Sequence, residues 1–248
     1  MRIVGTAMAV AGVGMLVWVV VVWRWQDPFT AVYTSWKQHQ LAQSYERRVR
    51  DYQPPVPLKK VAATASASPA AKVTVTAGQI RADARRYRLN SKRGQAIGRI
   101  RVPRLGLNMV VVDGTDEETL KKGPGLDRRS YMPGEGQLVY IAGHRTTYLA
   151  PFAHIERMRA GDPVTLEVPY ATFVYRVFKH QIVGADDLAV LHSHGREVVE
   201  LQACHPRFFA THRYIVYARL ARIDPRGAPA FRAPSAALAA APLASSEG

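Results

Sequence analysis

Residues Ile3 to Trp23, IVGTAMAVAGVGMLVWVVVVW, run without a charge and are bracketed by Arg2 and Arg24. As a helix rising about 1.5 Å per residue, this stretch spans about 31 Å, the thickness of a bilayer hydrocarbon core. It is long for the apolar part of a signal peptide, the segment before it is minimal, and Trp23, Arg24 and Trp25 look like an interfacial anchor. A retained transmembrane helix over residues 1–25 is therefore expected. Its orientation is not fixed by flanking charge, because Arg2 and the α-amino group on one side oppose Arg24 and Lys37 on the other.

Beyond the membrane segment, Asp27 and Pro28 read as a helix cap and first helical position. Phe29, Val32, Trp36 and Leu41 then give helical spacing as far as Asp51. From Tyr52 to Gly78 the composition shifts to Pro, Ala, Ser, Val and Thr, too poor in large apolar groups to bury a core. Residues 79–104 hold nine Lys or Arg against the single acid Asp83. Residues 26–95 are accordingly expected to form a juxtamembrane helix and a flexible basic stalk. Residues 223–248, rich in Ala and Pro, are expected to be a disordered tail.

Residues 96–222 differ. Short β-branched runs recur between turn signals: IGRIRVP from Ile97, LNMVVVDG, GQLVYIAG, DPVTLEV, ATFVYRVFKHQIVG, EVVELQAC and RYIVYARL. Two short helical patterns interrupt them, at Asp116 to Gly123 and Pro151 to Met158. Seven or eight strands with little helix imply a mainly β domain, a closed barrel or a sandwich.

The chain carries 34 Lys and Arg against 19 Asp and Glu, a formal charge of +15. A polyanionic neighbour fits this balance. Nucleic acid is a poor candidate, because the basic stretch contains only Tyr87 for stacking and has no helix-turn-helix spacing. Solvated surface, or contact with anionic envelope polymers, accounts for it better.

One cysteine, Cys204, is present in the 248 residues, so neither an internal disulfide nor a Cys-rich zinc site supports the fold. Cys204 ends the strand pattern EVVELQAC, Pro206 stops that strand, and Arg213 opens the next. An antiparallel hairpin places Cys204 and Arg213 opposite each other at its mouth. The pattern GQLVYIAG runs directly into His144 and Arg145, which sets an imidazole at another strand end. Thiolate, imidazole and guanidinium on one rim would suit acyl transfer: nucleophile, proton donor to a leaving amine, and oxyanion partner. Taken singly, each has a plainer reading as a small buried residue, a hydrogen-bonded structural histidine and a surface arginine.

The strings AGHRTTYLAPF, LQACHPRF and HRYIV, with IGRIRVPRLGLNMVVVDGTDEETLKKGPG upstream, resemble the sortases, cysteine transpeptidases of Gram-positive envelopes. The resemblance covers roughly Ala96 to Arg222 and looks most like the actinobacterial class E group. It implies an eight-stranded sortase β-barrel with His144, Cys204 and Arg213 as the catalytic triad and with no cofactor or metal. It further implies thioester formation at the Thr of a Leu-Pro-x-Thr-Gly or Leu-Ala-x-Thr-Gly sorting signal. The acyl group of a surface protein then passes to an amine of a peptidoglycan precursor. On this resemblance the protein is embedded in the cell membrane by one pass, with its barrel outside.

Departures accompany the match. The family pattern Thr-Leu-x-Thr-Cys is replaced here by Glu200-Leu201-Gln202-Ala203-Cys204, which removes both threonines. Strand alternation sets Glu200 and Gln202 on the Cys204 face and makes that side of the groove more polar. The triplet Asp27-Pro28-Phe29 resembles the lid motif of pilin-polymerising sortases, but it adjoins the membrane segment and reads as a helix cap. His205 belongs to the Cys-His-Pro pattern and reads as a modulator. An L,D-transpeptidase would need Ser-x-Gly-Cys-x-Arg, whereas Arg196 follows the Ser193-His194-Gly195 of this chain. Papain-like enzymes place Cys before His, the reverse of the order here. The missing threonines leave one further alternative, a catalytically weak sortase-like protein that binds sorting signals or envelope partners.

Overall fold

A computed structural model describes residues 2–25, 28–53, 69–193, 195–226 and 229–232. Helix α1 (Arg2–Trp25) carries the apolar run. Its window Ile3–Val20 has a mean hydropathy of 2.2 and is exposed, with Trp18 touching the Phe29 ring at 5.7 Å, and α1 is long and apolar enough to cross a bilayer. Helix α2 (Pro28–Asp51) matches the expected juxtamembrane helix in extent, while its proposed cap, Asp27, lies outside the described residues.

The domain is a closed barrel of eight strands: β1 (Ala96–Val102), β2 (Leu107–Asp113), β3 (Gly125–Leu126), β4 (Leu138–Ala142), β5 (Pro163–Val168), β6 (Ala171–Gly184), β7 (Val198–His205) and β8 (His212–Pro225). Neighbours run β6-β5-β1-β2-β3-β4-β7-β8, and β8 returns to pair with β6. The pairs β2–β3 and β4–β7 are parallel. A two-residue strand β9 (Phe231–Arg232) adds to the far end of β8. The short helix α4 (Glu117–Leu120) is capped by Asp116, whose side chain accepts from the Thr119 backbone N–H.

Alternation along the strands separates two apolar layers. Val199, Leu201 and Ala203 of β7 point into the barrel core with Val139 and Ile141 of β4 and Val216 and Ala218 of β8. Their neighbours Leu138, Tyr140, Ala142, Ile215 and Tyr217 form a second cluster on the outer face. This layer forms a floor beneath the connection between β6 and β7, whose Val190 and Leu191 pack onto it.

Three expectations change. The Arg-rich residues 79–90, expected as flexible stalk, are the end of helix α3 (Pro69–Asn90). Ile80 and Ala84 are buried in the barrel core, Tyr87 packs beside them, and Arg81, Arg85 and Arg86 stay exposed. Spacings of four and three make these apolar residues a single helical stripe, which the surrounding charge obscures. Arg88 donates to both oxygens of Glu135, at 2.7 and 3.1 Å, and fastens the helix end.

On α2, of the apolar residues that gave the helical spacing, Leu41 packs against the barrel and the others do not. Phe29, Val32 and Trp36 are 71%, 72% and 54% exposed, whereas Thr34 and Tyr45 are buried. The cause lies in the barrel. Because β3 covers β2 only at Val112 and Asp113, the backbone of Val110 is left open on that side. The Gln38 amide closes it, accepting from the Val110 N–H at 2.7 Å and donating to its carbonyl at 3.0 Å. The face of α2 on the barrel thus joins the Gln38 amide to an apolar stripe of Leu41, Tyr45 and Val49 that packs with Ala96 and Val110.

Finally, β8 runs to Pro225 and Phe231 packs against the core, so ordered chain continues past Arg222. The rest of the expected tail, residues 233–248, lies outside the described residues. Strand β3 had no sequence signal, since two residues show no periodicity. Its Gly125 lies so close to the Gly114 carbonyl that any Cβ would overlap the oxygen.

Candidate active site

Cys204 and Arg213 are direct partners in the β7–β8 ladder, between the pairs Ala203–Tyr214 and His205–His212. Directly opposed residues project to the same side of a sheet. Ala203 faces the core, so Cys204 and Arg213 face outward, above the floor of Tyr140, Ile215 and Tyr217. The thiol is partly exposed. Arg213 Nη1 donates to the carbonyls of Ala210 at 2.8 Å and His212 at 3.0 Å, which holds the guanidinium at the mouth of the hairpin.

His144 reaches this site through the parallel pairing of β4 with β7, which ends at Ala142 opposite Gln202. The next residue continues alongside, as the Gly143 N–H donates to the Gln202 carbonyl at 3.0 Å. Two residues on, Arg145 Nη1 donates to the Cys204 carbonyl at 3.0 Å. His144 is therefore held between residues tied to Gln202 and to Cys204. Its ring packs on Tyr148 at 5.0 Å between centroids, and its buried Nε2 has no hydrogen-bond partner among the described residues. Burial holds its pKa below the ordinary imidazole value; Glu117 acts against this and Lys121 with it. The Tyr148 N–H donates to Thr30 Oγ1 at 3.0 Å, which joins the His144 loop to the first turn of α2.

Arg145 is the residue that sequence reasoning passed over. Its side chain is buried, pairs with Glu156 at 2.8 Å, lies 3.0 Å from His205 Nδ1 and covers the Tyr214 ring at 5.9 Å. It ties the His144 loop to the cysteine strand; adjacency to His144 was its only signal in the sequence. The contact also engages one ring nitrogen of His205, whose pKa is lowered by burial and by Arg145. Among the described residues no group of three or more His, Cys, Asp or Glu could hold a metal ion.

The arrangement can perform acyl transfer. A partly exposed thiol and a guanidinium share one rung, and an imidazole with an unengaged nitrogen stands on the neighbouring strand end. The floor extends from Cys204 in one direction only, past Gln202 and Glu200, because the β7–β8 loop lies on the other side.

Residues 100–221 match the family model described as Sortase domain. Sortase D of Bacillus subtilis (strain 168) is 33% identical over 130 residues, 51% of this chain and 64% of that protein. Sortase SrtE1 of Streptomyces coelicolor is 24% identical over 151 residues, 54% of this chain and 42% of that protein. The chain thus spans between two fifths and two thirds of the length of these two relatives. Among solved structures, the Clostridium perfringens Sortase D5 transpeptidase superposes with a TM-score of 0.57 at 19% identity, covering 74% of this chain and 98% of that one. The names extend across sortase groups D and E, so the family is common to the matches and the class is not.

Proposed function

The chain belongs to the sortase family, and on that premise we propose that it is a cysteine transpeptidase acting on proteins that carry a C-terminal sorting signal. The observation that carries this reading is the outward-facing rung of Cys204 and Arg213 with His144 alongside. In the proposed reaction the Cys204 thiolate attacks the carbonyl of the signal's threonine. Arg213 stabilises the oxyanion, and protonated His144 gives its proton to the departing glycine amine as the C–N bond breaks. An incoming amine, in the cell that of a peptidoglycan precursor, then displaces the thiolate and leaves the substrate joined to the wall.

The lowered pKa of His144 means that the imidazolium form is scarce at neutral pH. We assign a signal of the Leu-Ala-x-Thr-Gly or Leu-Pro-x-Thr-Gly type, in which the small or proline second residue, the threonine and the glycine are the fixed positions, and the outer face of the cell membrane as the location, with α1 as a single-pass anchor. The test is transfer by the full-length chain in detergent of each peptide to an added amine. Amide product with wild type and none with Cys204→Ala is expected; a folded chain that transfers neither peptide would leave the signal-binding alternative in its place.

A further inference from the structure

The outer floor of the barrel contains one buried acid that the proposed reaction does not use. Glu200 lies on β7 two outward-facing positions from Cys204, about 14 Å along the strand at ~3.4 Å per residue. It is 5% exposed, and its Oε2 has no hydrogen-bond partner among the described residues. The register places Tyr140 beside it on β4 and Tyr217 beside it on β8, and Lys179 of β6 beyond Tyr217. Lys179 Nζ is occupied elsewhere, donating to Gln181 at 3.0 Å. The layer around this rung is apolar, with Val190 and Leu191 among the residues packed on the cluster that contains Tyr140 and Tyr217. Burial raises the Glu200 carboxyl to about 8, with Lys179 opposing.

A substrate held as a thioester on Cys204 must keep its acyl half bound until the amine arrives. Because the floor extends only toward Glu200, that half lies along it. An extended peptide advances about 3.3 Å per residue, which brings the residue three before the threonine to about 10 Å from the thiol. The length of the glutamate side chain spans the remainder. In signals of the leucine type this position is the leucine, and a leucine there would leave the Glu200 carboxyl as unsatisfied as it is now.

We infer that Glu200, flanked by Tyr140 and Tyr217, forms a subsite for a hydrogen-bond-donating side chain at the first position of the sorting signal. The inference rests on the proposed transpeptidase reading and deepens it. The carboxyl accepts from an amide or ammonium donor whether or not it is ionised, and the aromatic rings line the stem of the incoming side chain.

The test is the rate of Cys204 acylation in the full-length chain in detergent, read by intact-protein mass. The peptides are of the form z-Ala-x-Thr-Gly with z as Leu, Asn, Gln or Lys. Wild type is expected to acylate with at least one donor peptide about tenfold or more faster than with the leucine peptide, the scale of discrimination expected from a buried polar group left unpaired. Glu200→Thr, which restores the family residue, is expected to turn the order in favour of leucine. Equal or faster acylation by the leucine peptide in wild type overturns the subsite while leaving the transpeptidase intact. A preference that Glu200→Thr leaves unchanged does the same. Acylation by no peptide overturns the transpeptidase reading, and the subsite with it. If Glu200→Thr does not fold, the wild-type order alone decides.

Discussion

At the scale of the residue, the site depends on which atoms lack partners. His144 Nε2 and Glu200 Oε2 are both buried and unpaired among the described residues, yet the surrounding sequences gave them unequal prominence. His144 stood out through its position after a strand and its match to the AGHRTT string. Glu200 stood out only as a departure from a threonine, and alternation placed it on the correct face. What alternation could not supply was its burial, since the strand pattern assigns a face and not the depth of that face. Burial has a measurable consequence. The folded pKa of Glu200, about 8, is above the unfolded value of about 4.3, so the folded state retains a proton that the unfolded state releases. Its contribution to stability is fully present below pH of about 4.3 and is lost as pH rises through about 8. Thermal unfolding from pH 5 to 9 should show wild type losing, relative to Glu200→Gln, on the order of a few kcal/mol. Parallel pH curves for the two proteins would show that Glu200 is ionised in the fold.

At the scale of the element, the strands were legible because their apolar residues repeat every second position, and seven of the eight barrel strands follow patterns visible in the chain. The hairpin pairing of Cys204 with Arg213 follows from the same reasoning plus Pro206. The helices were harder. The apolar residues Phe29, Val32 and Trp36 define a stripe on α2, but the barrel binds a different face through Thr34, Gln38 and Tyr45. That face combines apolar Leu41, Tyr45 and Val49, spaced by four and packed with Ala96 and Val110, with the Gln38 contact to open backbone on β2, which no pattern within α2 reveals. Gln38 also donates to the Lys122 carbonyl at 2.7 Å, so one side chain seals both sides of the short β3 crossover. Gln38→Ala should destabilise the barrel by about 1–3 kcal/mol in denaturant titrations, the cost of orphaned backbone groups. Gln38→Leu should cost at least as much, although it keeps the bulk. A neutral result for both would mean that water replaces the amide and that α2 does not close the edge.

At the scale of the whole molecule, a membrane-length helix is followed in the chain by a helix docked on the barrel beside the candidate site. α2 begins within two residues of α1, touches the His144 loop through Thr30 and Tyr148, and covers β2 through Gln38. The proposed outward orientation has a direct check, because Cys204 is the only thiol in the chain and is partly exposed. A membrane-impermeant maleimide applied to intact cells should label it to the extent seen in lysed cells. Labelling only after lysis would place the barrel on the inner side and remove the wall amine from reach.

The claim on which the account turns is that Cys204 carries the substrate as a thioester. Mass spectrometry of the intact full-length chain after incubation with Leu-Ala-x-Thr-Gly or Leu-Pro-x-Thr-Gly peptide, without an amine acceptor, measures it directly. An added mass equal to the peptide's acyl half through the threonine is expected. That mass should map to Cys204, be lost on addition of hydroxylamine, and be absent in Cys204→Ala. No adduct on a folded wild-type chain with either peptide, or an adduct that persists in Cys204→Ala, would contradict it.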